Sequence, residues 1–176
     1  MIAVHAALVE TDVSVLLIGG MAVNYYGYSR STMDIDFMAA ADDVDTLVLQ
    51  LKKQGFINIE RLDNVVFLSQ ENSPLRVDLL RVDAGTMGKM HEKAGRAEMY
   101  GLSFPVPALE DLMAMKLFAL KENWDLRVHK DLPDIAQLTV LNSGMSLARL
   151  AELCDEYADR EIFDRCRKEI EVLQQA

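Results

Sequence analysis

This sequence predicts an α/β fold with a helical second half, and three observations carry that expectation. Short β-branched apolar runs alternate with helix-patterned segments over the first hundred or so residues. The stretch Phe104-Pro-Val-Pro107 is extended, because residues before proline avoid the helical region. From Ala108 onward, apolar residues recur at helical spacing almost without interruption. The expected organisation is a small mixed β-sheet flanked by helices over residues 1–104. A helical C-terminal subdomain over residues 105–176 would pack on it and close a cleft.

In chain order, Ile2 to about Glu10 reads as a short helix, and Val13–Ile18 as a buried strand stopped by Gly19-Gly20. Met21–Tyr28 suits a helix with Met21, Ala22, Tyr25 and Tyr26 on its apolar face. Met33–Met38 alternates apolar and acidic residues, the period of a strand. Asp42-Asp43 open a helix with Val44, Leu47, Val48 and Leu51 on one side, and Gly55 ends it. Three strands are expected near Ile57–Glu60, Val65–Ser69 and Leu75–Val82, turned at Asn64 and at Asn72-Ser73-Pro74. Thr86–Tyr100 reads as a loop holding one helical turn. Helices are expected near 108–122, 129–142, 146–157 and 160–174.

Composition narrows the function. Apolar residues are 51% and charged residues 26%, enough for a true core. The longest apolar run, Val13-Ser-Val-Leu-Leu-Ile18, is far short of the roughly 20 residues of a membrane span. The N-terminus has no signal-peptide pattern, so a cytoplasmic location with no membrane partner is expected. Cys154 and Cys166 cannot complete a four-ligand zinc site and read as free thiols. His5, His91 and His129 lack ligand spacing. A formal charge of −10 disfavours a protein that coats nucleic acid, although Arg76 to Arg96 carries a local excess of two positive charges.

Two carboxylates carry the chemistry. On a strand, residues i and i+2 share a face, so Asp34 and Asp36 project together while Ile35 and Phe37 enter the core. Paired carboxylates resist joint ionisation unless a cation lies between them, and an all-oxygen site suits magnesium, or manganese. Asp78, in Leu75-Arg-Val-Asp78-Leu-Leu, is an acid inside an otherwise core-type strand. If that strand neighbours the first, all three acids converge. Two metals held this way clamp the attacking and leaving oxygens of a phosphoryl displacement. Asp78 can then also take a proton from the attacking hydroxyl. Gly19-Gly20 allows close backbone approach to a phosphate, although such a pair alone also makes an ordinary turn.

The glycine pair, 13 intervening residues (Met21 to Met33), then Asp34-Ile-Asp36 resembles the signature of the nucleotidyltransferase superfamily, which includes the polymerase beta-like enzymes. Asp78, about 40 residues further on, resembles its third carboxylate. Gly-Gly-x-Ala with Arg30-x-Thr32 before the acids most resembles short bacterial proteins related to AbiEii-type toxins. The likeness is strong from Leu16 to Leu80. It extends more loosely to Lys116 and to Lys130-Asp-Leu-Pro-Asp134. It implies a magnesium-dependent enzyme that moves a nucleoside monophosphate from a triphosphate to a hydroxyl on a protein, a tRNA end or a small molecule. It also implies a toxin–antitoxin or phage-defence setting, with an antitoxin protein as partner. Asp34, Asp36 and Asp78 would be the catalytic metal ligands. Gly19, Gly20, Arg30, Thr32 and Lys116 would bind nucleotide. Many relatives carry serine where this chain has Gly20, which leaves the phosphates to backbone amides and cations.

Bland readings stand beside these. Lys116 either snorkels from its apolar helix stripe, reaches the triphosphate, or pairs with Asp131 or Asp134. Asp131 and Asp134 read as openers of the helix that holds Pro133 in its first turn. Thr32 reads equally as a locally bonded loop hydroxyl. The rival to an enzyme is a catalytically silent nucleotide-binding or partner-binding module of the same fold. A calcium-binding acidic protein explains Asp34 and Asp36 but neither Gly19-Gly20 nor Asp78.

Overall fold

The computed structural model describes residues 1–175. They form two compact units: Met1–Ala22 with Arg30–Ala108, and Val23–Ser29 with the chain from Leu109 onward.

The first unit is built on a five-stranded mixed sheet. Its strands are β1 (Val15–Leu17), β2 (Asp34–Ala40), β3 (Asn58–Arg61), β4 (Val65–Ser69) and β5 (Arg76–Val82), in the order β1-β2-β5-β4-β3. The central pair β2–β5 is parallel and every other pair is antiparallel. One face is apolar because alternate residues of the strands, Ile35, Phe37, Val66, Leu68, Val77 and Leu79, point the same way and are fully buried. Helices α1 (Ile2–Val9) and α3 (Val44–Lys53) cover that face with Val4, Leu8, Val44, Leu47, Val48 and Leu51. The opposite alternation places acids on the other face.

Residues 84–99 differ from expectation. In place of a loop they form α4 (Ala84–Glu92) and β6 (Gly95–Met99), the latter paired antiparallel with β7 (Leu102–Val106). Helix α4 starts because the Asp83 side chain accepts from the Thr86 amide at 2.9 Å. The hairpin closes through Tyr100 and Gly101, both at positive φ (55° and 74°), the geometry of a two-residue type I′ turn.

The second unit is helical: α5 (Leu109–Glu122), α6 (Trp124–Leu141), α7 (Leu147–Tyr157) and α8 (Arg160–Gln175). Helix α2 (Gly19–Tyr25) begins in the first unit and ends in the second. There the Asn142 side chain donates to the Tyr26 carbonyl at 3.1 Å and to the Leu138 carbonyl at 2.9 Å. Helix α6 begins five residues before the expected 129, so Pro133 lies inside it. Asp131 and Asp134 are therefore buried mid-helix residues and not its openers. No described helix is long and apolar enough to cross a membrane.

Candidate active site

Strands β2 and β5 run parallel in a register that sets Asp34 beside Arg76 and Asp36 beside Asp78. Side chains at paired positions of neighbouring strands share a face. Asp34, Asp36, Arg76 and Asp78 thus form a two-by-two array of three acids and one base. Strand β4 extends the rows, since Phe67 pairs with Asp78 and Ser69 with Arg76.

The base knits the array together. Arg76 Nε donates to Asp78 Oδ1 at 2.7 Å, and Nη2 donates to Asp78 Oδ2 at 2.9 Å and to Asp34 Oδ2 at 3.0 Å. The two bonds to Asp78 make the fork-to-carboxylate pairing that gives guanidinium its selectivity. The guanidinium carbon also lies 5.0 Å from the centroid of the Phe67 ring. Sequence reasoning counted Arg76 only within a basic stretch. The signal was available: Arg76-x-Asp78 on one strand repeats the i, i+2 spacing of Asp34-x-Asp36.

Asp78 is buried, and burial pushes its carboxyl up to about 6. The hydrogen bonds and charge of Arg76 pull the other way, and the like charges of Asp36 and Asp34 add to the rise. Burial works against the Arg76 charge too. Its bond to Asp78 and the nearness of Asp78, Asp34 and Asp36 outweigh that and raise its pKa.

Gly19 ends the strand side of the loop at φ +62°. A Cβ there would fall on the Asp36 carboxylate, 2.5 Å from its Cγ and 2.8 Å from its Cβ, so only glycine lets the acid lie against the turn. A Cβ on Gly20 would come within 2.9 Å of Thr32 Cβ, 3.0 Å of Thr32 Oγ1 and 3.1 Å of Arg30 Nη1. Thr32 and Arg30 fill the space that a side chain at position 20 would need. The Thr32 hydroxyl is bonded locally, donating to the Asp34 carbonyl at 3.3 Å. Gly19, Gly20, Arg30, Thr32, Asp34, Asp36 and Asp78 all belong to the first unit.

Lys116 belongs to the second. Of its open readings, the structure displays the carboxylate pairing: Nζ donates to Asp131 Oδ1 and to Asp134 Oδ2, each at 2.7 Å. Arg127 Nε lies 2.9 Å from the other Asp131 oxygen, so two cations face two anions and the buried group is charge-balanced.

The family described as "Nucleotidyl transferase AbiEii toxin, Type IV TA system" matches residues 4–176. Solved structures of similar fold include the antibiotic-resistance factor ANT(2'')-Ia in solution, with a TM-score of 0.68 at 13% identity over 98% of this chain and 92% of that one. ANT(2")-Ia in complex with adenylyl-2"-tobramycin gives 0.67 at 15% identity over 89% and 95%. The lincosamide antibiotic adenylyltransferase LnuA, lincomycin-bound, gives 0.55 at 16% identity over 77% and 91%. No curated protein matches the chain by sequence.

Proposed function

The chain belongs to the AbiEii family of nucleotidyltransferases, and from that premise we propose that Asp34, Asp36 and Asp78 are the acids at which it moves a nucleoside monophosphate. The observation that carries this reading is the parallel register of β2 and β5, with Asp36 beside Asp78 and Asp34 one step along the same face.

The donor set is the test of whether a divalent cation fits. Asp34, Asp36 and Asp78 offer only carboxylate oxygens, the ligands magnesium and manganese prefer, and so would hold them. A cation bound there neutralises charge on the triphosphate and on the leaving pyrophosphate. The remaining chemistry belongs to the chain. The acceptor hydroxyl oxygen attacks the α-phosphorus, the bond from that phosphorus to the bridging oxygen breaks, and pyrophosphate departs. Asp78 takes the hydroxyl proton, and a carboxyl raised to about 6 suits a base working near neutral pH. The Gly19–Gly20 backbone approaches the β- and γ-phosphates, and Arg30, alongside Gly20, neutralises them. Thr32 shapes that loop. Lys116 braces α5 against α6 through Asp131 and Asp134 and acts on the nucleotide only at that remove.

The acceptor is a hydroxyl compound, and its class follows from two different cues. The bound adenylyl-2"-tobramycin and lincomycin of the structural neighbours favour a small alcohol. The family description favours a target whose modification stops growth. A charge of −10 weighs against long nucleic acids and leaves a tRNA end or a protein hydroxyl open. In the cytoplasm the chain would draw on the nucleoside triphosphate pool and be held in check by an antitoxin.

The test is transfer of label from each α-³²P nucleoside triphosphate to cell-extract protein, tRNA or antibiotic alcohols, with wild type and Asp36→Asn side by side. Transfer by wild type alone, with growth arrest on expression that Asp36→Asn relieves, supports the reading. Equal label transfer by both proteins removes the three acids as the site.

A further inference from the structure

The acids assigned above to a divalent cation already have a cation among them. Arg76 covers both oxygens of Asp78 and one of Asp34. No three described His, Cys, Asp or Glu side chains are gathered closely enough to hold a metal. Arg76 Nη2 stands between two of the three carboxylates instead, 2.9 Å from Asp78 Oδ2 and 3.0 Å from Asp34 Oδ2, on oxygens that a metal would need. A guanidinium and a metal cannot share the same lone pairs.

Arg76 is also placed to leave. Its side chain is 45% exposed against 11% for Asp78, and it rests on the Phe67 ring instead of beneath it in the core. Rotation about its own bonds would take the fork off the acids without moving either strand. A freed guanidinium beside a bound triphosphate has an equivalent partner waiting, since phosphate accepts the same bidentate bonding as carboxylate.

We propose that Arg76 is an exchangeable internal cation, which balances Asp34 and Asp78 until a divalent cation takes their oxygens and then transfers its hydrogen bonds to the phosphates of the incoming nucleotide. Metal and triphosphate would thereby bind cooperatively, each removing a cost the other would meet alone. The proposal rests on the assignment of the three acids to a metal.

The experiment measures Mn²⁺ binding by electron paramagnetic resonance of the free ion for wild type, Arg76→Gln and Arg76→Lys, with and without a non-hydrolysable triphosphate. If the fork holds the acids in nine molecules of ten, Arg76→Gln binds Mn²⁺ alone about tenfold more tightly than wild type. With triphosphate present, wild type gains more affinity than Arg76→Gln does. Should Arg76→Gln fail to fold, the NMR resonance of the wild-type Arg76 Nε–Hε group, identified by its loss in Arg76→Lys, carries the test. It moves from a hydrogen-bonded to a solvent-like position on saturation with Mg²⁺ alone. Equal Mn²⁺ affinity in wild type and Arg76→Gln, or an Nε–Hε signal unmoved at Mg²⁺ saturation, overturns the exchange while leaving the metal assignment standing. No Mn²⁺ binding by any variant, with or without triphosphate, overturns the metal assignment and the exchange together.

Discussion

The carboxylate of Asp36 occupies the volume that a side chain on Gly19 would need. The first turn of the site and its second acid are therefore one packing unit, and Gly19 is further held at φ +62°, where a Cβ is strained in any case. Gly19→Ala is expected to displace the Asp36 carboxylate. A misplacement of about 1 Å lowers turnover on the order of a hundredfold. Steady-state transfer rates alongside far-ultraviolet dichroism check this, and near-normal turnover by a folded variant would sink it.

Asp78 predicts a pH dependence of stability. Its folded carboxyl is raised from 3.8 to about 6, so the folded state favours the protonated form. The stability this contributes is complete below about pH 4 and disappears as pH rises through 6. In EDTA, the difference between wild type and Asp78→Asn should shift by on the order of 3 kcal/mol across that window, wild type losing ground as pH rises. Urea midpoints at half-unit pH steps measure it, and parallel curves for the two proteins would refute it.

The buried trio of Lys116, Asp131 and Asp134 makes a different prediction. Lys116→Met, at a side chain only 6% exposed, removes the ammonium shared by the buried Asp131 and Asp134 and leaves the half-exposed Arg127 as the cation beside Asp131. Breaking such a group costs about 3–5 kcal/mol. Adding Asp131→Asn and Asp134→Asn to Lys116→Met should recover much of the loss, because no uncompensated buried charge then remains. Chemical denaturation of the single and triple variants decides the point.

Cys154 and Cys166 should be inert in the folded protein. Burial, with help from Asp155 and Asp159 around Cys154 and from Cys154 and Glu169 around Cys166, pushes both thiols up to about 12. At pH 8 the thiolate fraction is then about one in ten thousand. A disulfide reagent should label neither residue in native protein and both in urea. Rapid labelling under native conditions would contradict this.

Sequence patterns were most legible where a segment has one wet and one dry side. Strand β4 matches the expected Val65–Ser69 residue for residue, and α3 buries the Val44, Leu47, Val48 and Leu51 stripe read from its spacing. Helix α4 was hidden because Gly85 and Gly88 weaken helical propensity and only Met87 is buried, so no stripe marks it. Strand β6 buries Ala97 alone, and its turn uses Tyr100 where a type I′ signal ordinarily has asparagine or aspartate. Pro133 misplaced the start of α6, because proline is common in a first turn and rare inside a helix.

By itself the sequence determined that Asp34 and Asp36 share a face, that Gly19-Gly20 precedes them at a characteristic distance, and that Asp78 interrupts an apolar strand. Those are local properties, set by a two-residue strand period and the lack of a Cβ in glycine. Only the tertiary structure decided that Asp78 stands beside Asp36 and Arg76 beside Asp34. Strands β2 and β5 are joined through α3, β3 and β4, so no turn dictates their register. It is set by the burial of Ile35, Phe37, Val77 and Leu79 on the far face, where a one-residue slip would exchange the apolar set for the charged one.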